Sequence, residues 1–383
     1  MRLVVFFSRG MSLAGWRQAG ILERELALYR VMLPHLDHLA FVTYAGSEDR
    51  ELVSQLPGVE VLPNRWKMPS NIYSVVAPLL HRRTLARATI FKTNQVNGAW
   101  CAVIAARLFR KSLVVRCGFL WSDFVARLHP GSWRPVVARR LERLVVCAAD
   151  ALIVAAETDR MTIVERYGVD RGRVHLIPNY VDVAVFRPMP DVVREPGRVI
   201  FIGRLDDQKN VAALIDAVEG LPGATLVIVG DGPLRRQLEA PAHVRGARVS
   251  FLGTRPHAEL PALLNRSAVF VLPSHYEGNP KALVEAMATG APIVATRVPG
   301  IREIVVHRET GHLCGTSAAE IRAALAEVLG DAALRARIGA AAMAYARMHC
   351  TLEPAAGREL AILRGLEETS RTAGMNDQRV ERR

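Results

Sequence analysis

The chain has 383 residues, half of them hydrophobic and 23% charged. Such a chain can bury sizeable cores, so global disorder is excluded, and two or three domains are expected at roughly 100–200 residues each. The net charge of +13 is uneven, with +11 on residues 1–190 and +2 on the rest, so the first half suits an anionic partner.

No apolar stretch of about 18 residues runs free of charge, and a transmembrane helix is not expected. Met1–Phe7 is too short for a signal-peptide core and reads as a first buried strand. Strands are then expected at Leu3–Phe7, Leu39–Thr43, Val59–Leu62, Thr89–Phe91, Leu113–Arg116 and Ala151–Val154. Helical patterns lie between them, for example Trp16–Leu33 and Arg134–Cys147. This alternation argues for a parallel sheet covered on both faces. Prolines 178, 188 and 190 mark a connection over Ile177–Pro190. The rhythm restarts with Arg198–Ile202, Thr225–Val229, Val249–Leu252, Val269–Leu272 and Ile293–Ala295. Ala318–Leu366 reads as helix, and the polar tail after Thr369 as disordered. Five cysteines lie far apart with no C-x-x-C pair, which fits a reducing compartment and neither a disulfide framework nor a zinc ribbon.

Two segments carry chemistry. In "VIFIGRLDDQKN" a buried strand ends at Gly203, Arg204 follows, and Lys209-Asn210 opens a helix. A guanidinium fork and an ammonium beside a helix start suit a diphosphate. In "VFVLPSHYEGNPKALVEAMATGAPIVAT" a loop delivers Glu277 and Gly278 to the start of a helix over Lys281–Thr289. Asn279 is expected to cap that helix, with Pro280 at its first position and Gly290 after its end. Helix-start N–H groups at Lys281 and Ala282 suit phosphate, and the Glu285 carboxylate suits a diol such as ribose. Two carboxylates beside a phosphate need cations, and Arg204 and Lys209 are expected to compensate them.

The Glu277-x7-Glu285 stretch resembles the signature of retaining family 4 glycosyltransferases of the GT-B fold. "GRLDDQKN", "VIVGDGPLRRQLE", "VSFLGTRPHAELPALLNRSAVFVLPS" and "VPGIREIVVHRETGHLC" are similar to other blocks of that family, in the same order. The likeness is dense over about residues 198–315 and looser over 1–190.

The resemblance implies an α/β chain of two facing Rossmann-like domains with an interdomain donor cleft. The boundaries expected are 1–185 for an acceptor domain, 186–350 for a nucleotide-sugar domain and 351–383 for a crossover helix and disordered tail. It implies a hexosyltransferase moving a sugar from a UDP- or GDP-linked donor to a hydroxyl of a glycan or lipid-linked acceptor. The setting would be cell-surface polysaccharide, lipopolysaccharide or glycolipid synthesis. Gly203, Arg204 and Lys209 would bind the diphosphate, with Arg204, Lys209 and Glu277 as the catalytic set. Glu277 would hold the transferred sugar, helped by Gly278, Asn279, Pro280, Lys281 and Ala282. Glu285 would hold the ribose, and the base would lie near Gly253, Thr254 and Arg255. Retention of configuration is implied, and neither a metal nor a cofactor is expected; the nucleotide-sugar is a co-substrate.

In the first half, Gly10 and Gly15 stand where the family has a glycine-rich loop touching donor phosphate or acceptor. Asn94, beside Lys92 and Asn97, is a candidate for acceptor hydroxyls. Arg116 stands where many relatives carry a His near the sugar, and suits phosphate or an acidic acceptor. Basic residues cluster at His81–Arg83, Arg107–Lys111 and Arg127–Arg143, and the last of these stretches mixes Arg with Trp133, Leu and Val. A basic amphipathic face suits anionic lipid, and the resemblance implies glycan extension on lipid carriers at the inner membrane face. A cytoplasmic protein held peripherally there is therefore expected, with nucleic acid not expected as a partner. The competing readings are a nucleotide-sugar epimerase, which lacks an evident acid–base set, and a non-catalytic membrane scaffold with an inactive donor site.

Overall fold

The computed structural model describes residues 1–53, 56–244 and 248–380. The chain divides into two units, Met1–Ile177 with Ala356–Arg383, and Pro178–Ala355. The division falls earlier than residue 185 and later than residue 350, and residues 356–383 join the first unit.

In the first unit the strands are β1 (Arg2–Phe6), β2 (His38–Val42), β3 (Val59–Leu62), β4 (Ile90–Thr93), β5 (Ser112–Cys117), β6 (Ala151–Val154) and β7 (Val174–Leu176). They form one parallel sheet in the order β3-β2-β1-β4-β5-β6-β7. Continuous apolar runs such as LVVF and ALIV are buried along their length because helices cover both faces. The expected helix Trp16–Leu33 is two helices, Leu13–Gln18 and Leu22–Met32, parted at Gly20 with φ +69°.

The second unit holds β8 (Glu195–Ile202), β9 (Thr225–Val229), β10 (Val249–Gly253), β11 (Ser267–Leu272), β12 (Ile293–Thr296) and β13 (His312–Cys314). Their order is β10-β9-β8-β11-β12-β13, all parallel. This is the doubly wound dinucleotide-fold order, and its direction reverses between β8 and β11. Ligands of such sheets sit outside the carboxyl ends of the strands at that reversal.

The stretch after Gly315 is three helices, Ala318–Gly330, Ala332–His349 and Leu352–Val380. Ser317 and Asp331 cap the first two by accepting from the backbone N–H groups of Glu320 and Leu334. The tail expected to be disordered after Thr369 continues as helix to Val380; residues 381–383 lie outside the described residues.

Candidate functional site

The two chemistry-bearing loops follow β8 and β11, the strands that flank the reversal of the second sheet. After β8 the chain turns at Gly203, whose N–H donates to Val229 O. The turn after β9 locks against it, because a Cβ on Gly230 would sit 1.9 Å from Gly203 O and one on Gly232 2.3 Å from Leu205 O. These glycines let two backbones touch and bring Lys209 back over the sheet end. Asn210 holds that geometry at φ +51°, its side-chain amide donating to the carbonyls of Pro273 and Thr316.

Lys209 and Glu277 meet. Glu277 Oε1 accepts from Lys209 Nζ at 2.5 Å and from Ser274 Oγ at 2.6 Å, while Oε2 faces Gln208 Nε2 at 3.4 Å. Gln208 also donates to Tyr276 O, and its own carbonyl accepts from His275 N–H. The carboxylate is 6% exposed and the ammonium 17%, so the pair is only thinly screened. Charge is balanced, one oxygen is fully engaged, and the other keeps acceptor capacity.

Arg204 does not join this pair. Its side chain is 69% exposed and its Nε lies 3.6 Å from Asp206. Of the two expected cations, Lys209 compensates Glu277 and Arg204 stands out in solvent. Glu285 is compensated by neither; it is buried on the helix Lys281–Ala288, and its Oε1 lies 3.0 Å from His257 Nε2. The His257 ring is set by Phe186, 4.8 Å away.

Asn279 does not cap that helix. Pro280 is the N-cap residue, with no side-chain cap hydrogen bond. Asn279 Oδ1 instead accepts from Asn179 N–H at 3.1 Å, and Asn279 O accepts from Asn179 Nδ2. The connecting segment has thus captured the capping side chain and ties the loop down. Gly278 is gripped from the other side, since a Cβ on Gly300 would sit 1.7 Å from Gly278 O. Lys281 Nζ lies 6.0 Å from the Tyr180 ring. Lys281 and Ala282 begin the helix, where the dipole favours an anion. Gly253 closes β10 at φ +67°, and its carbonyl accepts from Gly230 N–H; Thr254 and Arg255 follow, with Arg255 3.8 Å from Glu259.

In the first unit Gly10 lies in a turn with φ +79°. Gly15 is not in a loop: it belongs to the helix Leu13–Gln18, and its N–H is taken by Ser12 Oγ at 2.9 Å. Asn94 Oδ1 accepts from the Tyr29 hydroxyl at 2.8 Å, and Tyr29 in turn accepts from Lys92 Nζ at 3.4 Å. Lys92 is fully buried and pairs with Glu359 of the helix Leu352–Val380. Arg116 points at the same carboxylate, NH1 lying 3.6 Å from Oε2. Burial pushes the Lys92 ammonium below its ordinary range, and Glu359 opposes that push. Lys92 and Arg116 are therefore charge partners of Glu359.

Sequence reasoning passed over Ser274, Gln208, His257, Asn179, Gly300 and Glu359. Ser274 stands three residues before Glu277 and is findable as a loop hydroxyl beside a carboxylate. His257 and Glu359 have no local signal, because their partners lie 28 and more than 200 residues away.

Residues 187–344 match the model of the glycosyl transferases group 1, and residues 33–185 that of glycosyltransferase family 4. A glycogen synthase of Mycobacterium tuberculosis is 33% identical over 213 residues, 53% of this chain and 51% of that protein. The chain thus spans about half the length of that curated relative. Among solved structures, sucrose-phosphate synthase of Thermosynechococcus elongatus superposes with a TM-score of 0.83 at 20% identity, over 96% of this chain and 100% of that one. HepE of Anabaena, solved with UDP, gives 0.79 at 21% identity, over 95% and 100%. Two Rossmann-like units, a GT-B likeness and two adjoining family matches make this chain a member of the family 4 and group 1 glycosyltransferases.

Proposed function

We propose that the protein is a retaining, metal-independent glycosyltransferase. It would use a nucleoside diphosphate sugar, UDP- or GDP-linked, and a hydroxyl of a glycan or lipid-linked acceptor in cell-surface polysaccharide, lipopolysaccharide or glycolipid synthesis at the inner membrane face. The observation that carries this reading is the Lys209–Glu277–Ser274 cluster beside the start of the helix Lys281–Ala288, at the reversal of the second sheet. HepE was solved with UDP-glucose, which supports a donor of that class.

In this reading Lys209, the exposed Arg204 and the helix start take the diphosphate. Glu277 Oε2 accepts a hydroxyl of the transferred sugar, and Glu285 accepts the ribose diol once His257 yields. The bond from the anomeric carbon to the β-phosphate oxygen breaks, and its electron pair leaves with the nucleoside diphosphate. The acceptor oxygen bonds to that carbon on the same face, and its proton passes to the departing phosphate. Charge growing on the phosphate is met by Lys209 and the helix dipole, fixed before the reaction begins, and by Arg204 drawn in from solvent.

Thermal shift with UDP, GDP and ADP tests the site. One nucleotide should raise the midpoint of the wild type, by an amount that reflects about 2.7 kcal/mol at ~100 times its dissociation constant. Lys209→Ala should lose the shift; because it also leaves Glu277 without its ammonium, the shift is read against the variant's own, lower unliganded midpoint. No shift with any nucleotide, together with no release of nucleoside diphosphate from UDP- or GDP-sugars, refutes the proposal.

A further inference from the structure

The helix Arg134–Ala148 of the first unit is turned the wrong way for a water-facing helix. Ala138, Glu142, Val145 and Val146 form its buried side. Trp133, Val137, Arg140, Leu144 and Cys147 recur at alternating spacings of four and three, so they share its outer face. Trp133 is 71% exposed, and Val136, Val137 and Leu144 are exposed too. Beside this apolar stripe lies a cleft of about 340 Å³ lined by Pro135, Val136, Arg139, Arg140, Arg143, Arg166 and Tyr167.

The charge in the cleft is unbalanced. Arg166 is matched by Asp123 at 2.7 and 3.1 Å. Glu142 is turned inward, where it accepts from the N–H groups of Trp121 and Ser122 and from the Tyr167 hydroxyl. Arg139, Arg140 and Arg143 are exposed and, among the described residues, make no hydrogen bond or ion pair within the chain. Three uncompensated guanidinium groups thus stand around an apolar-floored cleft.

We infer that this cleft takes the headgroup phosphate of an anionic phospholipid while Trp133, Val136, Val137 and Leu144 enter the headgroup–acyl boundary. A bilayer surface satisfies both halves of the face: phosphate for the arginines, and an apolar medium for the stripe. Nucleic acid would take the arginines and leave the stripe in water. A second copy would bring like charges together, on a half of the chain that carries +11. The inference rests on the peripheral-membrane part of the function proposed above and is independent of donor chemistry.

The full chain is tested by flotation with vesicles of phosphatidylcholine alone and of equal parts phosphatidylcholine and phosphatidylglycerol. The expected result is binding to the mixed vesicles only. Arg139→Ala/Arg140→Ala/Arg143→Ala should weaken it about a hundredfold, and Trp133→Ser/Leu144→Ser should make the remaining binding fully salt-reversible. Nucleotide-induced thermal shifts of both variants should equal the wild type's, which separates this face from the donor site. An environment-sensitive fluorophore on Cys147, exposed in the same stripe, should shift to the blue on the mixed vesicles. Mixed-vesicle binding that survives the triple substitution overturns this site and leaves the peripheral reading standing; no binding to either vesicle overturns both. Binding of inorganic phosphate lost in the triple variant, without vesicle binding, assigns the cleft to a soluble anion and also overturns the inference.

Discussion

Replacing Glu359 by Leu should unfold the first unit at a markedly lower temperature. Glu359 is buried, Lys92 is buried against it, and Arg116 approaches within 3.6 Å. Removing the carboxylate leaves the ammonium charged in a dry site, a change that costs about 3–5 kcal/mol. For a unit of about 200 residues, each kcal/mol moves the midpoint by roughly 2–4 °C, so a fall of about 10 °C is expected. The assay is selective, because all five tryptophans, residues 16, 66, 100, 121 and 133, lie in the first unit. Tryptophan emission therefore reports that unit alone. The double variant Lys92→Met/Glu359→Leu removes both charges, and Arg116 can turn to water; it should return to within about 2 kcal/mol of wild type. A single-variant fall below 3 °C, or a double variant whose loss is the sum of the two singles, refutes the argument.

Other outcomes follow from the same kind of accounting. The His81 imidazole is pushed down from 6.5 to about 4, by burial first and then by Arg65, so the unfolded chain binds more protons between those values. Stability should therefore be lost as pH falls through that window, by about 3 kcal/mol in full. Trp66, 5.7 Å from the ring, offers a local signal, and His81→Leu should flatten that part of the profile. Gly300→Ala should push Gly278 away and abolish the nucleotide-induced thermal shift at a cost of about 1–3 kcal/mol in stability; an unchanged shift would show that this contact does not set the loop. In the native protein one thiol should react with a disulfide reagent, that of Cys147. The others are buried, and the Cys101 and Cys314 thiols are pushed up to about 12, chiefly by burial. Two or more fast-reacting equivalents would contradict the packing around them.

Interior strands were legible because an apolar run covered on both faces needs no polar alternation: β6 and β9 match their expected limits residue for residue, as does the edge strand β3 with its alternating VEVL. The edge strands β7 and β13, three residues each, carry too few apolar positions to stand out. The break at Gly20 was hidden because the apolar spacing continues across it. In the site, Glu277 and Glu285 were legible because one loop and the helix after it carry them at fixed spacing, and Lys209 because it follows a strand end and opens a helix. Pairings were not. Asn279 has the ideal chemistry for a cap, yet Asn179, a hundred residues away, takes its side chain. Arg204 and Lys209 look equivalent in the sequence, but only Lys209 comes from the short 3-10 turn that faces Glu277. A contact made by folding leaves no periodicity behind it.

The Lys92–Glu359 pair also sets an order of events during synthesis. By the time Lys92 and Arg116 are in place, a whole further sheet has still to be translated before their counter-charge leaves the ribosome. At about 5–20 residues per second that interval is roughly 10–50 s. During it the second unit can complete its own sheet, while the first waits with two cations at the ends of β4 and β5 and no carboxylate to receive them. The first unit to be made is thus the last to be finished, and any truncation ahead of residue 359 releases a chain whose earlier half keeps Lys92 and Arg116 without their carboxylate.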